Sequence, residues 1–124
     1  MLENTDWVNS KLEETFFELH NKNQSNLENI NLIMLSFEGK DMSTLNINEF
    51  IKNKINELKN IENNLIEINS NTKEKINWLN NTEFASMKNN KSNELIIKIE
   101  NLLTDNIKIQ NMATNLIFEL NKLI

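Results

Sequence analysis

Residues that interrupt helices and residues that build active sites are nearly missing from this chain. Its 124 residues include no proline, cysteine, tyrosine or arginine, and the only glycine is Gly39. Because proline and glycine are the strongest helix breakers, their scarcity permits very long helices. Without cysteine there is no disulfide or thiol chemistry, and a single glycine cannot form a phosphate-binding loop. We therefore expect a protein that is not an enzyme and that uses no cofactor and no metal ion.

Positive charge and long apolar runs are also lacking. Lysine supplies all 13 basic residues against 18 acidic ones, which gives a net charge of -5 at pH 7. Nucleic-acid binding usually needs a basic surface and the forked arginine side chain, so we expect no nucleic-acid partner. No apolar run approaches the ~18–20 residues of a membrane span, and the start of the chain is polar. The sequence therefore predicts a cytoplasmic protein without a membrane span.

What the chain does contain is isoleucine and leucine at steps of three or four residues, the spacing of one helix face. Three segments show this pattern, and they run from Val8 to Phe37, from Ile47 to Leu79 and from Leu95 to Ile124. Between Asn80 and Asn93 the apolar signal thins, and we expect a connector there with one helical turn. Long helices joined by short connectors fold back on one another. We predict one domain over residues 1–124, an all-α antiparallel bundle in up-down-up order.

Three local features set the expected helix boundaries. Thr5 or Asn4 is a suitable N-cap for the first helix, and Gly39 stands where a left-handed residue ends it. Two polar stretches, residues 20–26 and 69–72, are the weakest points of the first and second segments. The bundle therefore has three long helices, or four if the second is broken. Asparagine makes up about a fifth of the chain and is a poor helix former, so tertiary packing must hold these helices.

The third segment carries more apolar surface than a bundle helix needs. At about 100° per residue, its apolar arc approaches two-thirds of the circumference. One interpretation is that this helix packs between the other two, and the other is that one flank receives a partner helix. The candidate partner-binding residues are Ile107, Met112, Leu116, Phe118, Leu120 and Leu123.

The rare side chains favour structural roles. His20 is the only histidine, and no cysteine or second histidine accompanies it, so we interpret it as a solvated helix residue. Trp7 and Trp78 are predicted to lie near the same end of two antiparallel helices. There they either plug that end of the bundle or anchor an interface.

One stretch of the chain resembles a known family. From Phe37 through Leu58 the order is a helix end, Gly39-Lys40-Asp41, Leu45, Phe50-Ile51, Lys54-Ile55 and Leu58. This order is similar to the hairpin of small flagellar (type III) export chaperones, in which a Gly-x-Asp corner and a leucine precede a hydrophobic and basic helix. The third segment, with Asp105-Asn106 amid isoleucine and leucine, resembles their closing helix.

The resemblance implies a cytoplasmic protein without cofactor, a chaperone for type III secretion in the flagellum. Such a protein binds the helical end of an export substrate in a groove and delivers it to the secretion apparatus. The alternative is a structural or regulatory coiled-coil module that self-associates through its surplus apolar flank. The expected partner is accordingly a helical client or a second copy, and the expected state is a monomer or a weak homodimer.

Overall fold

Three long helices form the fold. The computed structural model describes residues 2–44, 46–81 and 86–124, with side chains for these ranges except residues 2–5 and 81. The helices are α1 (Leu2–Leu35), α2 (Ile47–Asn81) and α3 (Asn90–Asn121), and no strand occurs in the described ranges. Each helix packs against the other two. The predicted all-α bundle is confirmed.

Contacts between helices show their directions. Near the beginning of α1, Glu13 pairs with Lys91 at the beginning of α3, with 2.9 Å between Oε1 and Nζ. Glu18 of α1 instead lies 3.6 Å from Lys75, which is close to the end of α2. Helices α1 and α3 therefore run in one direction and α2 runs in the other, which is the up-down-up order.

Both polar stretches that were expected to weaken the helices are helical throughout. In the second stretch the Thr72 hydroxyl donates to the Ile68 carbonyl at 2.7 Å, and in the first the Asn26 amide donates to the Lys22 carbonyl at 2.9 Å. These side chains donate hydrogen bonds to the preceding turn of their own helix, so their polar groups are satisfied without breaking the helix. Because the second helix is unbroken, the bundle has three helices within the described ranges, and the option of a fourth is wrong.

Only some of the helix ends lie where the sequence predicted them. Helix α1 already begins at Leu2, so the predicted cap at Thr5 or Asn4 is wrong. Gly39 has φ 70°, the left-handed conformation predicted for the residue that ends the first helix, and the Lys40 amide donates to the Phe37 carbonyl at 3.2 Å. The corner is closed further by Asp41, whose carboxylate accepts hydrogen bonds from the Ser43 hydroxyl and amide, and these bonds lower the pKa of Asp41.

The second connection ends in a capped helix. Residues 86–87 form a single helical turn, as expected of the connector, and residues 82–85 lie outside the described residues. The Asn89 side chain accepts from the Ser92 amide at 3.0 Å, and the Ser92 hydroxyl accepts from the Asn89 amide at 3.0 Å. This reciprocal capping box starts α3 at Asn90.

The core consists of two apolar clusters along the bundle axis. The first cluster lies toward the beginning of α1 and contains Val8, Leu12, Leu19, Ile68, Ile76, Leu79, Leu95, Ile96, Ile99 and Leu103. The second cluster lies toward the end of α1 and contains Ile30, Ile33, Ile51, Ile55, Leu58, Ile61, Leu65, Ile109, Ala113 and Leu120. Between them sits a buried polar layer of Asn23, Asn69 and Asn106, one residue from each helix.

Candidate partner-binding groove

The six predicted partner-binding residues differ in exposure. Four are exposed, namely Ile107, Met112, Phe118 and Leu123, and Leu116 is half-buried. Leu120 is only 5% exposed and belongs to the second cluster, so it is not available to a partner. Seven residues separate it from Ala113, which brings both to nearly the same core-facing side of α3. We therefore correct the predicted set by removing Leu120.

The remaining residues lie on two different faces of α3. Ile107 and Phe118 are about 20° apart around the helix. Thr114 projects within about 40° of both and donates its hydroxyl to Glu62 of α2 at 2.6 Å, so this face borders α2. Met112 and Leu116 are more than about 100° away from Ile107 and Phe118 and border α1 instead. The predicted residues therefore do not form one continuous surface.

The face of α3 that borders α1 forms one wall of a depression between the two helices. Near the end of α1, a cavity of about 320 Å³ opens between α1 and α3, lined by Ile30, Met34, Met112, Asn115, Leu116 and Glu119. Met34 is 49% exposed, so its flexible thioether side chain remains accessible from solvent. Met34 was not among the residues predicted from the sequence to bind a partner, nor was Ile30, which borders the cavity but is 0% exposed and so belongs to the core. Their spacing of one helical turn was the available signal, but only the packing of α1 against α3 shows that they face Met112.

A second cavity continues this depression toward the beginning of the helices. It has a volume of about 230 Å³, shares Met112 with the first, and is lined also by His20, Gln24, Leu27, Asp105 and Lys108. We call the two cavities together the α1–α3 groove. It spans residues 20–34 of α1 and 102–119 of α3, about 21 and 26 Å at 1.5 Å per residue. That length accommodates about four turns of a partner helix.

His20 lies at the polar end of the groove. Its ring stacks on that of Phe16, with centroids 6.1 Å apart and planes 5° from parallel, and it is half-buried rather than fully solvated. In the part of the chain that the structure describes, no three histidine, cysteine, aspartate or glutamate side chains come together as a metal site. The polar end therefore offers hydrogen-bonding groups and charge to a partner.

The groove lining carries a small excess of acid. Asp105 and Glu119 of α3 oppose the single Lys108, and of the side chains that α1 contributes to the two cavities only His20 is ionisable. Elsewhere α1 is acidic, with six of the 18 acidic residues and only two of the 13 lysines. Outside the groove, hydrogen bonding from Lys22 and the charge of Lys75 lower the pKa of Glu18, and the hydrogen bond that Lys91 makes with Glu13 raises the pKa of Lys91. The α3 wall and the net charge of -5 together favour a basic partner over an acidic one.

The two tryptophans meet at the end of the bundle where α1 begins. Their ring centroids are 6.5 Å apart in an edge-to-face arrangement, and Lys11 Nζ lies 5.9 Å from the centroid of Trp7. Trp7 is 40% exposed and Trp78 is 51% exposed. The predicted proximity is confirmed, but the pair borders an open cavity of about 300 Å³ and does not form a fully buried plug.

No family model, curated protein or solved structure matches the chain. Over the residues that the structure describes, the fold defines an all-α bundle of three helices with an open, largely apolar groove between its two parallel members. None of the described helices has a stretch that is both long and apolar enough to cross a membrane.

Proposed function

We propose that the protein is a non-catalytic binding module that holds an amphipathic helix of a partner protein in the α1–α3 groove. The observation that carries this proposal is the continuity of the groove over about four helical turns, with Met112 shared between its two halves. Two methionines, Met34 and Met112, face the apolar half. Because methionine is unbranched and polarisable, it adapts to aliphatic side chains of different shapes. Helix-in-groove binding uses this chemistry.

The partner that fits best is a basic helix from another protein. The excess of acid on the α3 wall, Asp105 and Glu119 against Lys108, and the net charge of -5 attract lysine or arginine at the edges of an apolar helix face. A second copy of this chain brings the same net charge of -5. Like-charge repulsion therefore disfavours self-association through this groove. The protein on this proposal is a monomer or a weak homodimer until the partner binds.

The resemblance of residues 37–58 to flagellar export chaperones supports a more specific version of the proposal. In that version the bound helix belongs to a filament-associated export substrate in the cytoplasm. Occupation of the groove would keep this helix from associating with its own copies before type III secretion. Burial of an apolar helix face provides the affinity, and release requires only that a competing surface take over that face.

A second candidate function is self-association as a structural or regulatory coiled-coil module. It is favoured by exposed apolar residues on the opposite side of α3, where Ile107 is 43% and Phe118 is 61% exposed, with Ile66 of α2 47% exposed. A second copy that covered this face would leave the α1–α3 groove open. The two functions therefore use different surfaces and can be separated by mutation.

Binding of a synthetic helix tests the first function. The probe is a fluorescent peptide of about 17 residues with leucine on one helical face and lysine elsewhere, and a glutamate version is the charge control. We expect the lysine peptide to bind and Met112→Asp or Leu116→Asp to weaken binding by about tenfold or more, measured by fluorescence anisotropy. Because Met112 is 40% exposed and Leu116 is half-buried, helical content should survive in circular dichroism.

Phe118→Asp is the matched control, since this side chain lies on the same helix but faces away from the groove. We expect it to leave peptide affinity unchanged. Equal loss of binding in Met112→Asp and Phe118→Asp would contradict the groove as the site. Equal binding of the lysine and glutamate peptides would contradict the proposed basic partner.

A further inference from the structure

The buried polar layer joins all three helices at one level. The Asn106 amide donates to the Asn23 side-chain oxygen at 3.1 Å and to the Leu65 carbonyl at 3.2 Å, and the Asn69 amide donates to the Asn106 oxygen at 3.0 Å. In turn, the Asn23 amide donates to the backbone carbonyl of Leu102 at 3.0 Å. The three side chains thus bond to one another and to the backbone of neighbouring helices.

The layer is shielded from water and is satisfied within the protein. Asn106 is 0% exposed, Asn23 is 4% and Asn69 is 6%. Gln110, one turn after Asn106, donates a further bond to the Asn106 oxygen at 2.7 Å. Among the described residues, no buried side-chain nitrogen or oxygen lacks a hydrogen-bond partner. The layer is therefore a complete network that depends on the mutual position of three helices.

The apolar clusters alone specify the relative position of the three helices along the bundle axis poorly. Ile99 and Ala113 lie seven residues before and after Asn106, and both are in the core. Ile30 likewise lies seven residues after Asn23. A slip of α3 by two turns, about 10.5 Å, would place aliphatic residues against aliphatic residues again. It would also set Ile99 or Ala113 beside Asn23 and leave buried amides unpaired. Each unpaired buried amide lowers the population of such a packing by about tenfold or more.

We propose that the Asn23–Asn69–Asn106 layer determines the register of the three helices and the number of helices in the bundle. The aliphatic stripes supply the stability, and the layer selects the closed three-helix arrangement among packings that bury similar apolar area. A buried asparagine can have this role in coiled coils, where it selects register and oligomeric state at some cost in stability. This inference concerns the core and is independent of the proposed partner.

Cysteine pairs test the register directly, because the chain has no cysteine of its own. The pair Glu13→Cys with Lys91→Cys reports the observed register, since these side chains are in contact across α1 and α3. The pair Glu13→Cys with Lys98→Cys reports a slip of seven residues. With the asparagine layer intact, a thiol crosslinker shorter than the ~10.5 Å offset should join the first pair only.

The test variant replaces the whole layer by leucine (Asn23→Leu, Asn69→Leu and Asn106→Leu), so that no buried asparagine of the layer is left unpaired, and only the half-buried Gln110 loses a bond. We expect it to keep its helical content and a melting temperature at or above that of the parent. In the variant both cysteine pairs should crosslink, and light scattering should show species larger than a monomer. A control places leucine at three exposed asparagines, Asn21, Asn60 and Asn111, and should behave as the parent.

Two results would overturn the proposal. If the leucine variant stays a monomer in which only the first pair crosslinks, the apolar clusters specify the register without the layer. If the variant loses its helices, the layer supplies stability rather than selection.

Discussion

At the scale of single residues, asparagine shows how much position matters. It is the least promising residue of the composition, since it favours turns over helix interiors. Most of the asparagines that the structure describes are exposed, but Asn9, Asn23, Asn26, Asn69 and Asn106 are buried. These few bond to neighbouring helices or to the preceding turn of their own helix. A residue type that weakens helices locally therefore joins them in the core.

Asn106→Ala is predicted to be the most damaging single asparagine substitution. It removes the bonds to Asn23, Asn69 and Gln110, so that the buried Asn23 oxygen loses its Asn106 donor and the buried Asn69 amide keeps only a long bond to the Leu103 carbonyl at 3.4 Å. We expect a loss of about 2–4 kcal/mol in the free energy of unfolding, measured by urea denaturation. Asn111→Ala, at an exposed site of the same helix, should change stability by no more than about 0.5 kcal/mol. Equal effects of the two substitutions would contradict the assigned role of the layer.

At the scale of the elements, the number and spans of the helices could be predicted from aliphatic spacing. Gly39 also marked the first corner correctly, because few other residues adopt its positive φ. The expected weak points, residues 20–26 and 69–72, could not be interpreted from one helix at a time. A polar side chain at a core position looks like a gap until its partner on another helix is known.

The start of α3 gives a second prediction at this scale. Ser92 is 0% exposed; its hydroxyl accepts from the backbone amide of the N-cap residue Asn89 and also donates to the Asn9 side chain of α1. Ser92→Ala should therefore lower the free energy of unfolding by about 1–3 kcal/mol in urea denaturation, because it removes one half of the capping box and a buried bond between helices. Ser25→Ala, at an exposed position within α1, is the matched control and should have nearly no effect. Similar values for both would show that the cap and the bond to Asn9 contribute little.

At the scale of the whole molecule, the fold combines acidic charge with an open apolar groove. The sequence indicated surplus apolar surface on both flanks of α3, but it could not show which flank faces α1 and which borders α2. The opposite wall, with Ile30 and Met34, was also not predictable, because the rotation of α1 relative to α3 depends on the packing of both. The apolar pattern of a single helix predicts which residues share a face of that helix. It does not predict which face of a neighbouring helix they pack against.

The central claim is that the α1–α3 groove of a monomer receives a basic amphipathic helix, and methionine-methyl NMR tests it most directly. Met34 and Met112 line the groove, whereas Met42 is exposed beyond the end of α1 and Met87 packs against the first cluster. On addition of the lysine peptide to methyl-labelled protein, we expect the signals of Met34 and Met112 to shift while those of Met42 and Met87 stay in place. Shifts confined to Met42 and Met87, or no shift at saturating peptide, would contradict the account.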